Sequence, residues 1–313
     1  MKLFIICGPT ATGKTELGVR LARKFNGEMV SADSRQVYKG MDIGTGKDLS
    51  VYGDVPVHML DVASPKKSFS VAQYSELASK ALRDIWSRGK LPILVGGTGL
   101  YIKALVDGIG TLNIPPSEQL RKEYDGKTVS ELFGILAALN PKKARSINES
   151  DRKNPRRLIR AIEIVKWNIE YGIANVEENK KDILMIGLSA SPEVLRQKID
   201  IRINGWVKEG AQDEVKKLIA EGMSWNSQAI NAIGYREWKP YFEGKSDKRS
   251  LTLRDKEKVI SEWKKNEWRY AKRQLTWFKK DKRVNWFSIE DPNWVQSVEK
   301  KVRQWYNSYY ADD

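Results

Sequence analysis

The segment GPTATGKTELG, residues 8–18, has the clearest chemical potential in the chain. It contains the pattern GxxxxGK[ST], in which two glycines permit a tight turn and successive backbone N–H groups converge on one anion. Lys14 supplies a positive charge for phosphate oxygens, and the Thr15 hydroxyl is placed to bind Mg²⁺. We therefore predict that this loop binds the phosphate groups of a ligand. The loop residues are Gly8, Pro9, Thr10, Ala11, Thr12, Gly13, Lys14 and Thr15.

The flanking elements are those that such a loop requires. The apolar run LFIIC at residues 3–7 predicts a buried strand, and Leu17, Leu21, Ala22 and Phe25 have helical spacing. A strand that breaks at Gly8 and enters a helix near Lys14 aims the positive end of that helix at the bound anion. The alternative is a glycine-rich turn between strand and helix without a ligand.

The rest of the chain continues this alternation of strands and helices. The predicted strands are EMVSADS, VPVHML, LPILVGG and ILMIGLSA. The predicted helices are residues 70–88 and the segment TGLYIKALVDG. This alternation predicts an α/β fold with a doubly wound parallel sheet, which binds ligands at the carboxyl ends of its strands. A long helical region is expected to about residue 283, followed by an amphipathic helix through Val295, Val298, Val302, Trp305 and Tyr309.

Three regions follow from this pattern. We expect residues 1–110 to form the first part of the α/β core. Residues 111–182 lose the strand and helix rhythm and are interpreted as a helical insertion. Residues 183–313 are expected to return to the sheet and to end in basic helices.

Composition limits the classes of function. Cys7 is the only cysteine and His58 the only histidine, which excludes a disulfide within one chain, Cys/His zinc clusters and Ser/His/Asp triads. No run approaches the roughly 18 apolar residues of a membrane span, and the first predicted strand leaves no room for a signal peptide. We therefore expect a protein without membrane contact, located in the cytoplasm.

The net charge of +15 suggests a polyanionic partner such as nucleic acid. Residues 142–160 hold eight basic and two acidic side chains, and residues 264–283 hold nine and two. In the second segment the apolar residues Trp268, Ala271, Leu275 and Phe278 share one helical face. Docked by that face, the helix would present a basic ridge to phosphates. The alternative is an ordinary solvated helix face.

The positions of the acidic residues indicate which reaction on a phosphate compound this chain can catalyse. A hydrolytic ATPase needs a carboxylate after an apolar strand near the loop, whereas LPILV is followed by Gly96, Gly97 and Thr98. Asp33, at the end of the second strand, can take a proton from an attacking amine or hydroxyl. These features favour a transferase. The alternative is that Asp33 only caps a turn in SADSRQ.

Several motifs together resemble one family. GPTATGKTELG, SADSRQVYKGMDIGTGK, HMLDVASP, LVGGTGLYIKAL, NPRRLIRAIE, AIGYRE and YAKRQLTWF occur in the order, and at about the spacing, of the tRNA isopentenyltransferase (tRNA dimethylallyltransferase) family of bacteria. The resemblance extends from residue 3 to about residue 287. DSRQVYKGMDIGT and YAKRQLTWF are far more specific than the phosphate-loop pattern.

The resemblance implies a P-loop NTPase-like fold and a prenyl transfer reaction. The dimethylallyl group would pass from dimethylallyl diphosphate to N6 of the adenosine just 3′ of the anticodon in tRNA. The loop would then bind a diphosphate leaving group, with Mg²⁺ as cofactor on Thr15, and Asp33 would take the proton from the adenine amine. By analogy, Thr98 helps to hold the substrates and Arg236 reaches a diphosphate oxygen.

The resemblance also implies a set of tRNA contacts. The candidates are Asp33, Ser34, Arg35, Gln36, Arg156, Arg157, Lys272, Arg273 and Gln274. We expect the chain to be monomeric. Two departures affect this set: INESDRKNPRR lacks a histidine that is usual in the family, and Trp268 stands where arginine is usual.

Two other functions remain open from the residues themselves. A small-molecule kinase would use ATP at the loop and Asp33 as base, but it leaves the basic segments unexplained. An RNA-stimulated ATPase explains the charge but not the missing acid after LPILV. The donor separates the three, because the transferase should ignore ATP.

Overall fold

In the part of the chain that the structure describes, six parallel strands form the central sheet of this protein, whose structure is a computed structural model. The structure describes residues 1–171, 182–243 and 253–308. The strands are β1 Lys2–Cys7, β2 Gly27–Ser31, β3 Val57–His58, β4 Leu91–Val95, β5 Asp182–Ser189 and β6 Val284–Ser288. Their order across the sheet is β3-β2-β4-β1-β5-β6, and every neighbouring pair is parallel.

Helices follow most of the strands. Those before β5 are α1 Lys14–Lys24, α2 Val71–Ser87, α3 Gly99–Val106, α4 Glu118–Glu123, α5 Val129–Leu139, α6 Pro141–Ser146, α7 Glu149–Arg152 and α8 Pro155–Tyr171. Those after it are α9 Pro192–Lys208, α10 Ala211–Ala220, α11 Lys239–Glu243, α12 Leu253–Phe278 and α13 Trp294–Asn307. Short 3₁₀ turns occupy Leu49–Val51 and Arg236–Trp238.

The sheet separates two apolar cores, as the alternation of side chains along a strand requires. Leu3 and Ile5 of β1 face a core that includes side chains of α2, α3, α9, α10 and α12. Phe4 and Ile6 face the other core, which includes side chains of α1 and α13. Burial on both faces explains why β1 is almost continuously apolar.

The chain divides into two compact units. One comprises Met1–Val106 and Asn179–Asp313, and contains the sheet. The other, Asp107–Glu178, has its own helical core around Leu132, Leu136 and Leu158. The sequence predicts a helical insertion over residues 111–182, and these boundaries stay a prediction.

The doubly wound parallel sheet is confirmed, and the structure adds details that the pattern did not predict. The edge strand β6 was not predicted, because VNWFS is short and only partly buried and its pairing with β5 is a tertiary contact. The helical region after β5 is interrupted near Gly210 and Gly222, whose φ angles of 102° and 86° favour glycine. Tyr309 of the predicted final helix lies outside the described residues.

Membrane contact can be assessed for the described helices. Across the described ranges, no helix combines the length and hydropathy that a membrane span needs.

Candidate functional site

The phosphate loop connects β1 to α1 through an unusual backbone. Gly8 has a φ of 129°, and a Cβ there would lie 2.4 Å from the Leu188 carbonyl oxygen, so only glycine fits. Ala11 and Gly13 also have positive φ angles, of 65° and 79°. Gly13 precedes the first residue of α1, so the loop ends at the positive pole of that helix.

Two cationic side chains converge on the loop. Lys14 Nζ donates a hydrogen bond to the Pro9 carbonyl oxygen at 2.5 Å, which folds the side chain back over the loop. Burial, and secondarily the positive charge of Arg202 on α9, lowers the pKa of Lys14 to about 8. An anion in the loop would raise the pKa of Lys14 again, because its negative charge favours the charged form of the amine.

Helix α12 holds the tip of the loop. Gln274 Oε1 accepts a hydrogen bond from Thr10 N at 2.8 Å, and Gln274 Nε2 donates to the Gly97 carbonyl oxygen at 3.0 Å. From the buried face of the same helix, Glu267 Oε1 accepts a hydrogen bond from Thr10 Oγ1 at 3.0 Å. These bonds tie the phosphate loop and the segment after β4 to one rigid element.

Asp33 and Thr98 lie on the neighbouring strand ends. Asp33 Oδ1 accepts hydrogen bonds from Arg35 N at 2.8 Å and Gln36 N at 3.4 Å. Thr98 Oγ1 accepts from Ser34 N at 3.0 Å, and its hydroxyl is also hydrogen-bonded with that of Tyr270. Asp33 therefore does cap a turn through one oxygen, and this role is compatible with a second role for the other oxygen.

The end of β4 leaves no room for a side chain at Gly96, where a Cβ would meet backbone, and at Gly97 a Cβ would displace the amide of Gln274. A Cβ at Gly96 would lie 2.3 Å from the Ala32 carbonyl oxygen, and one at Gly97 would lie 1.9 Å from Gln274 Nε2. A carboxylate in the position that a hydrolytic ATPase uses therefore has no room here. The two glycines instead let β2, β4 and α12 approach closely.

The opposite wall contains Arg236 and the loop after β2. Arg236 Nε donates to Glu237 Oε1 at 3.0 Å, and its side chain remains 44% exposed. Glu214 accepts hydrogen bonds from the backbone of Asp42, Ile43 and Gly44, which fixes this loop. The Gln36 amide points at the same loop and donates to the Gly46 carbonyl oxygen at 3.3 Å.

These groups surround one cavity of about 260 Å³. Many predicted residues line it: Thr10, Lys14, Thr15, Asp33, Ser34, Arg35, Gln36, Arg236, Arg273 and Gln274. Thr98 supports the wall through Ser34. Lys272 is exposed on α12, with its ammonium 5.5 Å from the centre of the Trp268 ring. Arg156 and Arg157 are exposed on α8, in the helical unit.

Sequence reasoning missed several polar residues that line this cavity, among them Arg202, Glu267 and Tyr270. Arg202 comes from α9, almost two hundred residues after the phosphate loop, so no local pattern connects them. A signal exists in α9, where Leu195, Ile199 and Ile203 form the buried stripe and Arg202 lies next to it. Glu267 lies within the basic segment of residues 264–283, yet its side chain is buried.

The donors for a metal ion are few. No group of three or more His, Cys, Asp or Glu side chains able to hold a metal occurs in the described part of the chain. The Thr15 hydroxyl and the Asp33 carboxylate are oxygen donors that line the cavity. This set suits Mg²⁺, which takes one or two protein ligands and completes its shell with phosphate oxygens and water.

Fold and site together define a class of protein. A doubly wound parallel sheet carries a glycine-rich loop, a helix amino terminus and several cations at the carboxyl ends of its strands, which is the arrangement of P-loop proteins that bind phosphate compounds.

Comparison with known proteins then identifies the family. The "IPP transferase" family model matches residues 36–281, and the "Isopentenyl transferase" model matches residues 1–52. The chain is 40% identical to the tRNA dimethylallyltransferase of Halalkalibacterium halodurans, over 98% of this chain and 96% of that protein. It is 39% identical to that of Anoxybacillus flavithermus, with coverages of 93% and 91%. The chain therefore belongs to the IPP transferase family.

Solved structures agree with this assignment. The tRNA isopentenylpyrophosphate transferase of Bacillus halodurans superposes with a TM-score of 0.72 at 37% identity, covering 100% of this chain and 99% of that one. A eukaryotic dimethylallyltransferase acting on tRNA superposes with a TM-score of 0.77 at 25% identity, over 96% of this chain and 77% of that one.

Proposed function

We propose that this chain transfers the dimethylallyl group of dimethylallyl diphosphate to N6 of the adenosine just 3′ of the anticodon in tRNA. The observation that carries the proposal is the pairing of a cationic phosphate loop with a β4 end that has room for no carboxylate. Such a site can hold a diphosphate without activating water for hydrolysis. The curated relatives are named tRNA dimethylallyltransferase, which supports a dimethylallyl transfer to tRNA.

The reaction separates charge, and the proposed roles follow that separation. The allylic C–O bond breaks, the N6–C bond forms, and the diphosphate leaves with the bonding electron pair. Lys14 and the loop amides stabilise the negative charge that develops on the diphosphate, and Arg236 adds a cation from the opposite wall.

Asp33 is the proposed base. Its Oδ1 is occupied by backbone N–H groups, which fixes the carboxylate and leaves Oδ2 for the N6 proton. Thr98 positions this segment through Ser34 N, so its proposed role is to hold the acceptor side of the cavity. Ser34, Arg35 and Gln36 are proposed to contact the flipped adenosine and its neighbours, because they line the same cavity.

Mg²⁺ is the proposed cofactor. When bound, it neutralises diphosphate charge. The Thr15 hydroxyl would hold it at the start of α1, and most other ligands would come from the diphosphate and water.

The proposed contacts to the anticodon arm are Arg156, Arg157, Lys272, Arg273 and Gln274. Gln274 also accepts a hydrogen bond from Thr10 N of the phosphate loop. We propose that the enzyme acts as a monomer in the cytoplasm, where its RNA substrate is.

A donor experiment tests the proposal. Unmodified tRNA is incubated with the protein, Mg²⁺ and dimethylallyl diphosphate labelled in the allyl group. We expect label in the RNA and an equal amount of released diphosphate, both dependent on tRNA. Release of phosphate from ATP, stimulated by tRNA and without transfer of label, would contradict it and favour an ATPase.

A further inference from the structure

An exposed tryptophan lies near the carboxyl end of α12. The chain has eleven tryptophans, all within the described ranges, and Trp277 is the only one of them that is exposed. Its exposed fraction is 46%. Single exposed apolar residues are common on protein surfaces, so the surroundings of Trp277 must show whether its exposure has a function.

Trp277 lies at the opening of the cavity. A Cβ on Gly99 would lie 2.1 Å from Trp277 Nε1, so the edge of the indole packs directly against the backbone at the start of α3. Gly97, two residues earlier, lines the cavity. Arg273, one helical turn before Trp277 on α12, lines the cavity and is also exposed. An RNA strand that inserts one nucleotide into the cavity from this side therefore passes close to the indole.

The charged residues around the indole are mostly cations. Besides Arg273, Lys280 follows the end of the helix, where its backbone N donates a hydrogen bond to the Trp277 carbonyl oxygen at 3.3 Å. Lys103 is exposed one turn into α3. The acidic residue of this region, Asp281, forms a 2.6 Å ion pair with the arginine two residues later.

This combination suits an unpaired nucleotide better than a protein partner. The buried centre of a protein interface is depleted in charged residues, whereas three cations lie around this one ring. Proteins that bind single-stranded RNA use an aromatic ring for the face of a base and cations for the phosphates beside it.

We propose that Trp277 stacks on the base of a nucleotide next to the adenosine that enters the cavity, and that Arg273 and Lys280 contact the flanking phosphates. A base that leaves its stack deprives its neighbour of a stacking partner, and the indole replaces that partner. Stacking accepts any base, because every base has a π face. This inference rests on the proposed function, because it takes an unpaired loop of tRNA as the partner.

Fluorescence anisotropy with a labelled anticodon stem–loop RNA tests the stacking. We expect Trp277→Ala to raise the dissociation constant by about fivefold to a hundredfold. Trp277→Leu should behave in the same way, since leucine keeps an apolar side chain without a π face. Trp277→Phe should stay within about fivefold of the wild type, because it keeps a ring.

The salt dependence separates stacking from charge. Trp277→Ala should leave the slope of log affinity against log salt unchanged, because the indole contacts no phosphate. Arg273→Gln should reduce that slope by about one. Trp294 provides the matched control, since it is half-buried on α13 and packs in the core on the other face of the sheet. Trp294→Leu should stay within about twofold of the wild type in affinity.

Two altered RNAs locate the stacked base, one with an abasic nucleotide 5′ of the target adenosine and one with it 3′. The wild type should lose affinity for one of them. Trp277→Ala should lose nothing further with that RNA, as in a double-mutant cycle. Thermal unfolding identifies any variant that fails to fold, and Trp277→Leu then replaces Trp277→Ala in each comparison.

The outcomes separate the inference from the proposed function. If Trp277→Ala and Trp277→Leu bind the stem–loop like the wild type, the stacking is wrong. It is also wrong if Trp277→Leu alone keeps wild-type affinity, because the side chain then only fills space. An equal further loss with both abasic RNAs contradicts it as well. If the wild type itself does not bind the stem–loop, the proposed function fails, and the inference fails with it.

Discussion

At the scale of single residues, the site combines the fixed carboxylate of Asp33 with several cations. Asp33 is held by backbone N–H groups through Oδ1, and Lys14 Nζ donates a hydrogen bond to the Pro9 carbonyl oxygen of its own loop. The backbone of the protein therefore orients both side chains. Preorganisation of this kind reduces the cost of reaching the transition state.

The proposed base can be tested by Asp33→Asn. The amide oxygen still accepts from Arg35 N, so the turn is kept, but the side chain no longer takes a proton. We expect turnover to fall by about 10²- to 10⁴-fold, with tRNA and donor affinities within a few-fold of the wild type. Single-turnover transfer and equilibrium tRNA binding measure the two effects. Near-normal turnover would remove Asp33 from the mechanism.

The pKa of Lys14 predicts a pH dependence of donor affinity. With a pKa of about 8 in the free protein, Lys14 is charged below pH 8 and loses its charge as the pH rises through that value. The bound diphosphate raises this pKa, so binding takes up a proton at higher pH. We expect the KM for the donor to rise by up to about tenfold per pH unit above pH 8.

Steady-state kinetics between pH 7 and 9.5 check this dependence, since the donor's own diphosphate is already ionised there. Lys14→Arg keeps its charge in this range, so its KM should not show the rise. A KM of the wild type that stays constant through pH 9.5 would contradict the lowered pKa.

At the scale of elements, α12 organises the cavity. Its buried face carries Glu267 and Gln274 to the phosphate loop, and Tyr270 between them to Thr98. Its exposed face carries Lys272 and Arg269 to solvent. One helix thus links the proposed RNA surface to the proposed diphosphate site.

Gly97→Ala tests this link. The added Cβ would lie 1.9 Å from Gln274 Nε2, so the amide has to leave Thr10 N or the Gly97 carbonyl oxygen. We expect a loss of about 1–3 kcal/mol in the free energy of unfolding and a several-fold increase in the KM for the donor. Denaturant unfolding and steady-state kinetics measure these changes.

Gly134→Ala is the matched control. Gly134 lies inside α5, and a Cβ there would meet nothing within 4 Å. This variant should gain up to about 1 kcal/mol of stability without a change in KM. An unchanged KM in Gly97→Ala as well would show that the contact with Gln274 does not shape the loop.

Features of the site that depend on a local sequence pattern could be predicted, whereas features that depend on packing between distant elements could not. The phosphate loop, Asp33 and the paired glycines after β4 could be proposed from the sequence, because each belongs to a short segment with a recognisable local pattern. Arg202 and Glu267 were missed, because their role arises from packing between α9, α12 and a loop distant in the chain. β6 was missed for the same reason, since its strand conformation depends on β5.

At the scale of the whole molecule, the net charge of +15 agrees with a polyanionic substrate. Charge alone does not say which surface binds RNA. Lys272 on α12 and Lys300 on α13 are both exposed, but α12 and α13 contribute to the cores on opposite faces of the sheet. The two residues therefore offer a comparison at equal change of net charge.

Lys272→Glu should weaken tRNA binding by about tenfold at moderate salt and reduce the salt slope by about one or two. Lys300→Glu should stay within about twofold of the wild type, because we place no RNA contact on α13. Fluorescence anisotropy at several salt concentrations measures both. Equal losses in the two variants would mean that binding depends on total charge and that α12 has no special role.

The central claim is that the loop holds the diphosphate of an allylic donor whose prenyl group passes to tRNA. Mass spectrometry of nucleosides tests it most directly, with unmodified tRNA, the protein, Mg²⁺ and dimethylallyl diphosphate in one reaction and ATP in place of the donor in another. We expect an adenosine heavier by one C5H8 unit, only with the allylic donor. Unmodified adenosine in the first reaction, with RNA-stimulated phosphate release in the second, would contradict the claim and make the loop a nucleotide site.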